Sequence, residues 1–168
     1  MRLSRVEEQF IGSNRFASQT SKVPYIIVDS FPDLGLITSL RFLEWVFKNP
    51  EGVISLPTGK TPEYFIKWTS FLLKNWDSSK VKSIRKKYQL PSKAKPDFSK
   101  LHFIQIDEFY PLNPNQHNSF YNYVCKYYLD SFGITKARAH LINTEEITLA
   151  NNMHWTEVFP NGLVDLTL

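Results

Sequence analysis

The chain has 168 residues, 42% of them hydrophobic and 15% aromatic, enough for one domain that removes about 70% of its unfolded-chain surface from water. That composition excludes a disordered tail, and the lone Cys125 excludes an internal disulfide and fits a reducing compartment. The net charge of +4 is local, because seven of the 20 basic residues lie between Lys80 and Lys95 with no acidic residue among them, and the rest are outnumbered by 16 acidic ones.

Residues 1–22 read as a peripheral N-terminal arm, with Ser4-Arg5-Val6-Glu7 in the pattern of a capping box. No apolar core of about 7 to 15 residues follows the early basic residues, so no signal peptide is expected. No run approaches the roughly 18 apolar residues of a membrane span. The expectation is a soluble, cytoplasmic protein with no membrane partner.

Val23 to Val28 is a predicted strand, and Ser30-Phe31-Pro32-Asp33 caps a helix whose Leu36, Leu40, Leu43 and Phe47 recur on one face until Asn49-Pro50. Gly52 to Leu56 is a second, β-branched strand. It runs into Leu56-Pro57-Thr58-Gly59-Lys60-Thr61-Pro62, with Thr61 at the expected N-cap, Pro62 at the first helical position and a helix to about Trp76. A basic insertion, about 78–97, is broken by Pro91 and Pro96. Its cluster has two readings, a nucleic-acid patch with Tyr88 as its one aromatic or a solvated helix and loop, and the second is preferred.

Leu101 to Ile106 is a third strand that ends in Asp107-Glu108-Phe109-Tyr110. A loop rich in Pro and Asn leads to a helix with Phe120, Tyr123, Val124 and Tyr127 on one stripe, and Cys125 packs beside them. Gly133 stops that helix. Ala139 to Ile142 reads as a fourth strand, and a polar tail leads through an Asn161-Gly162 turn to an apolar run at 163–166.

Strands alternating with helices predict an α/β, Rossmann-like domain over 23–168, with a mostly parallel sheet and helices on both faces. Right-handed crossovers put the carboxyl ends of parallel strands on one edge, where such folds bind ligands. The 58–61 turn and the Asp107-Glu108 pair both follow strands. The turn offers backbone N–H groups, the hydroxyls of Thr58 and Thr61 and the amine of Lys60, a set that suits a phosphate. It is not a P-loop, since the first glycine of G-x-x-x-x-G-K-[ST] falls on Ile54. Taken alone, the turn is equally consistent with an ordinary capped helix start, and Asp107-Glu108 with a capping or salt-bridged pair.

At these residues the chain resembles the glucosamine-6-phosphate deaminase family, within the group that includes 6-phosphogluconolactonase. Leu56 to Pro62 is similar to that family's L-P-T-G-[SK]-T-P loop. Ile106-Asp107-Glu108-Phe109 with His117-Asn118-Ser119-Phe120 is similar to its D-E-[YF] and H-x-S-[YF] segments. The insertion and the Asp-Glu-Phe-Tyr-Pro form look more like the larger bacterial members. The resemblance implies isomerisation of an aldose to a ketose with loss of ammonia, without metal or cofactor. It implies that Thr58, Gly59, Lys60 and Thr61 hold the sugar phosphate and that Asp107 is the general base between C2 and C1. Glu108 supports the loop, and His117 takes a capping or packing place. Partial desolvation at a strand end is expected to raise the carboxyl of Asp107 toward working pH.

The family's later Gly-rich segment, with the histidine that opens the sugar ring, has no counterpart here. His102, His140 and His154 all lie outside any Gly-rich setting. The expectation is therefore the front half of a catalytic domain, inactive alone, which is either truncated at its C-terminus or completed by a homo-oligomer or a second polypeptide. The alternatives are a 6-phosphogluconolactonase, against which Phe109 argues because a basic residue is usual there, and a non-catalytic sugar-phosphate-binding module.

Overall fold

A computed structural model of the chain describes residues 3–13, 25–90 and 94–146, together with Met153, Glu157 and Asn161. The first helix, α1 (Arg5–Ser13), starts at the expected capping box. Ser4 N–H donates to Glu7 Oε2 at 2.7 Å, and Glu7 N–H donates back to Ser4 Oγ at 3.2 Å. This helix is no loose arm, because Val6 and Phe10 are buried in the core and Glu7 pairs with Arg41 at 3.2 Å. The apolar pair four residues apart gives α1 one face to bury.

The long helix α2 (Phe31–Lys48) is capped by Ser30, whose Oγ accepts from the Asp33 N–H at 3.3 Å. Leu40, Leu43 and Val46 point into the core. Its neighbour α3 (Glu63–Lys74) crosses close by at Gly35, where an added Cβ would lie 2.5 Å from Tyr64 Cβ. In the same interface Thr69 Oγ1 donates to the buried Ser39 Oγ at 3.0 Å, and Ser39 Oγ in turn donates toward the Gly35 and Phe65 carbonyls at 2.8 and 2.9 Å, so both hydroxyl protons are used. Phe42 collects Phe65, Phe98 and Phe132 at ring separations of 5.4, 5.6 and 6.0 Å. Burial works against the charge of Glu44, yet hydrogen bonds from Arg41, Ser4 and Lys48 hold its carboxyl below the usual range.

The basic segment forms α4 (Ser79–Lys87), capped by Ser78. It is only partly solvated. Val81 and Arg85 are buried, with the Arg85 guanidinium 4.2 Å from the Trp76 ring centroid.

Three parallel strands, β1 (Val53–Ile54), β2 (His102–Ile104) and β3 (Ala139–His140), lie in that order. Val53 pairs with His102, and Phe103 pairs with both Ile54 and Ala139. Ile54, Phe103 and Ala139 therefore share the face packed on the core. The opposite face leaves Val53 (57%), Ile104 (43%) and Ile106 (68%) exposed. The predicted strand at 23–28 reduces to a bridge at Ile26: Ile26 and Val28 pack partly on the core, while Tyr25 and Ile27 face out. Residues 23, 24, 91 and 93, His154, Gly162 and the apolar run at 163–166 lie outside the described residues.

A helix begins at α5 (Phe120–Val124), passes through a π-helical turn (Cys125–Leu129) and ends in α6 (Asp130–Phe132) at Gly133, which takes the left-handed conformation with φ +79°. The π turn corrects the predicted stripe. It inserts one residue into the helical repeat, so Tyr128 becomes fully buried while Tyr127 stays 38% exposed. Among the described residues, no helix is long and apolar enough to cross a membrane.

Candidate active site

The turn after β1 and the acidic segment after β2 leave the sheet from adjacent parallel strands at their carboxyl ends. Ser55 Oγ donates to the Ile104 carbonyl at 2.6 Å and joins the two exits. Gly59 has φ +90° with nothing within 4 Å of an added Cβ, so a left-handed backbone, not crowding, calls for glycine there.

The helix after the turn starts one residue later than predicted. Pro62 sits at its N-cap with ψ 5°, and no side chain caps it. Thr61 is not the cap because the Glu63 N–H turns back to the Lys60 carbonyl at 3.2 Å, closing the entry as a turn. The hydroxyls of Thr58 and Thr61 are thus left without a partner among the described residues. Lys60 is exposed and has no ion-pair partner there.

Asp107 is exposed, which removes the desolvation expected of it. Its backbone is fixed by buried Gln105, whose Nε2 donates to the Asp107 carbonyl at 2.9 Å while its Oε1 accepts from the Ile142 N–H at 3.1 Å. Glu108 turns the other way. Its carboxylate accepts from Ser119 Oγ at 2.8 Å and from the N–H groups of Tyr121, Phe120 and Phe109 at 2.7, 3.1 and 2.9 Å. A carboxylate at the start of a helix meets unpaired N–H groups and the positive end of the dipole. Glu108 thereby ties the acidic segment to α5, and His117 lies exposed in the loop between them.

The same helix returns to the turn. Tyr123 Oη donates to the Gly59 carbonyl at 2.7 Å, and Tyr128 Oη donates to the Pro57 carbonyl. Burial first, then Tyr127 and Glu63, push the Tyr123 hydroxyl up to about 12, and burial raises Tyr128 as well. Sequence reasoning missed Gln105, Tyr123 and Tyr128 as site residues. A polar Gln inside an apolar strand is the one available signal for the first; Tyr123 reads from the sequence as part of an apolar stripe, and nothing there singles out Tyr128. Among the described residues, no three His, Cys, Asp or Glu side chains gather as metal ligands would.

Three parallel strands with packed helices define an α/β, Rossmann-like domain whose turn and acidic segment share one edge. No family model matches the sequence, and no curated protein matches it. Among solved structures, the chain is similar to a monomeric glucosamine-6-phosphate deaminase described as a missing link of the NagB superfamily. The TM-score is 0.52 at 18% identity, over 70% of this chain and 41% of that one. The likeness shows the fold, and the chain spans less than half the length of that structure.

Proposed function

We propose that this chain carries the sugar-phosphate end of a glucosamine-6-phosphate deaminase site. The observation that supports this reading is the pairing of an open Thr58-Gly59-Lys60-Thr61 turn with an exposed Asp107 at the ends of adjacent strands β1 and β2. The turn offers N–H groups, two unengaged hydroxyls and the Lys60 amine to a dianionic phosphate. Asp107, as general base, takes the proton from C2 of the open-chain amino sugar and returns it to C1, while O1 gains a proton and the nitrogen gives one up through solvent. The double bond then lies between C2 and nitrogen, and water hydrolyses that imine to the ketose and ammonia. Glu108 is spent on α5 and holds Asp107 in place without touching substrate.

The experiment is ammonia release from glucosamine 6-phosphate by the purified chain, with fructose 6-phosphate followed in the same tube. Turnover that Asp107→Asn abolishes supports the reading; turnover that survives it removes Asp107 from the role of base. The exposure of Asp107 favours one second reading, a sugar-phosphate-binding module. Saturable binding of glucosamine 6-phosphate with no ammonia release selects that one. A 6-phosphogluconolactonase would instead hydrolyse the lactone and release no ammonia.

A further inference from the structure

Two tyrosine hydroxyls from one helix hold alternate carbonyls of the turn, Tyr123 on Gly59 at 2.7 Å and Tyr128 on Pro57. In a planar trans peptide the C=O and the following N–H point in opposite directions. A hydroxyl that holds the Gly59 oxygen therefore turns the Lys60 N–H away from the helix, and the one on Pro57 does the same for the Thr58 N–H. Neither N–H has an acceptor among the described residues.

We propose that Tyr123 and Tyr128 are positioning residues that lock these two peptides so that the Thr58 and Lys60 N–H groups converge on a bound phosphate, an inference that rests on the sugar-phosphate reading above. The two rings are themselves fixed. They meet edge to face at 5.9 Å, and Tyr128 packs on Phe103 and Phe132 at 5.7 and 5.6 Å. The spacing of five residues puts both hydroxyls on the turn because the intervening π turn widens the repeat. A regular α-helix would separate them by about 140° around its axis. Both phenols also stay protonated, and hence donors, at neutral pH.

The test compares the full chain with Tyr123→Phe, Tyr128→Phe and, as a control, Tyr127→Phe. Phenylalanine keeps the packing and deletes only the donor. Two readouts are needed: titration with inorganic phosphate and with glucosamine 6-phosphate, and the backbone amide resonances of Thr58 and Lys60 in the ligand-free protein. The expected result for Tyr123→Phe is phosphate affinity about 3- to 10-fold weaker, the loss of one hydrogen bond, with the Lys60 amide shifted and broadened. Tyr128→Phe does the same at Thr58, and Tyr127→Phe changes neither. Wild-type phosphate affinity with unmoved amides in both variants overturns the proposal. Should the wild-type chain bind no phosphate at all, the sugar-phosphate reading falls. The amides then decide the tyrosine lock alone: it stands if they move and falls if they do not.

Discussion

The Glu108 carboxylate accepts the Ser119 hydroxyl at 2.8 Å, so the residue next to Asp107 is the clasp on the first turn of α5. Three backbone N–H groups share that carboxylate. Glu108→Ala leaves all four donors without it, and a loss of about 2–3 kcal/mol is expected from removing an ionised acceptor at a helix start. Glu108→Gln keeps one acceptor oxygen and loses less. Urea midpoints for the two variants decide this. Equal stability of Glu108→Ala and wild type would mean that Ser119, which accepts from the Asn122 N–H at 3.3 Å, caps the helix unaided.

Local chemistry explains which parts of this arrangement the sequence discloses. Ser30, Ser78 and Ser119 each accept a hydrogen bond from the N–H three residues on, so those helix starts follow from short-range residue choice. The glycine of the turn and the acidic pair stand where strands end, and both were legible. The π turn was not. The periodicity of an α-helix groups Tyr123 with Tyr127, and only tertiary packing of Tyr128 on Phe103 selects the wider repeat. The burial of α1 was equally hidden, since an arm with two apolar residues, Val6 and Phe10, declares no partner until α2 is beside it. Asp107 and Glu108 are adjacent and chemically alike, yet one is open and the other engaged, a difference set by which way the backbone turns after β2.

Gly35 sets how near α2 comes to α3, and thus where the turn before α3 stands. An alanine Cβ there would sit 2.5 Å from Tyr64 Cβ and 2.6 Å from the Tyr64 carbonyl carbon, one of them backbone that cannot swing aside. Glycine-to-alanine in a helix otherwise gains about 1 kcal/mol, so the sign of Gly35→Ala separates the two effects. We expect net destabilisation of about 1–3 kcal/mol from forced separation of the helices, read as a lowered urea midpoint. A raised midpoint would show that the interface yields without cost.

Asp107→Asn and Lys60→Ala divide binding from chemistry. Asp107 is exposed and its side chain makes no hydrogen bond or ion pair among the described residues, so the substitution should change stability by less than about 0.5 kcal/mol. Calorimetric titration should find glucosamine 6-phosphate affinity nearly unchanged, while any ammonia release disappears. Lys60→Ala should do the reverse, weakening the affinity about 10-fold or more through a lost charge-assisted contact. Unchanged affinity in Lys60→Ala would move the phosphate off this turn.

Alkaline titration tests the tyrosines through stability. Burial, first among the causes, raises the Tyr123 hydroxyl from its ordinary 10.0 to about 12, and Tyr128 is raised for the same reason. A phenol whose pKa rises on folding holds its proton more tightly in the folded state. Its stabilising contribution is whole below pH 10 and is lost as pH climbs through the folded value. Urea midpoints should fall between pH 10 and about 12, as tyrosinate absorbance develops together with unfolding. The double variant Tyr123→Phe/Tyr128→Phe, weaker at neutral pH for want of two hydrogen bonds, should lose less over that interval. If the still folded wild-type chain shows two more phenols titrating near pH 10 than the double variant does, the hydroxyls of Tyr123 and Tyr128 are neither buried nor held by the Gly59 and Pro57 carbonyls.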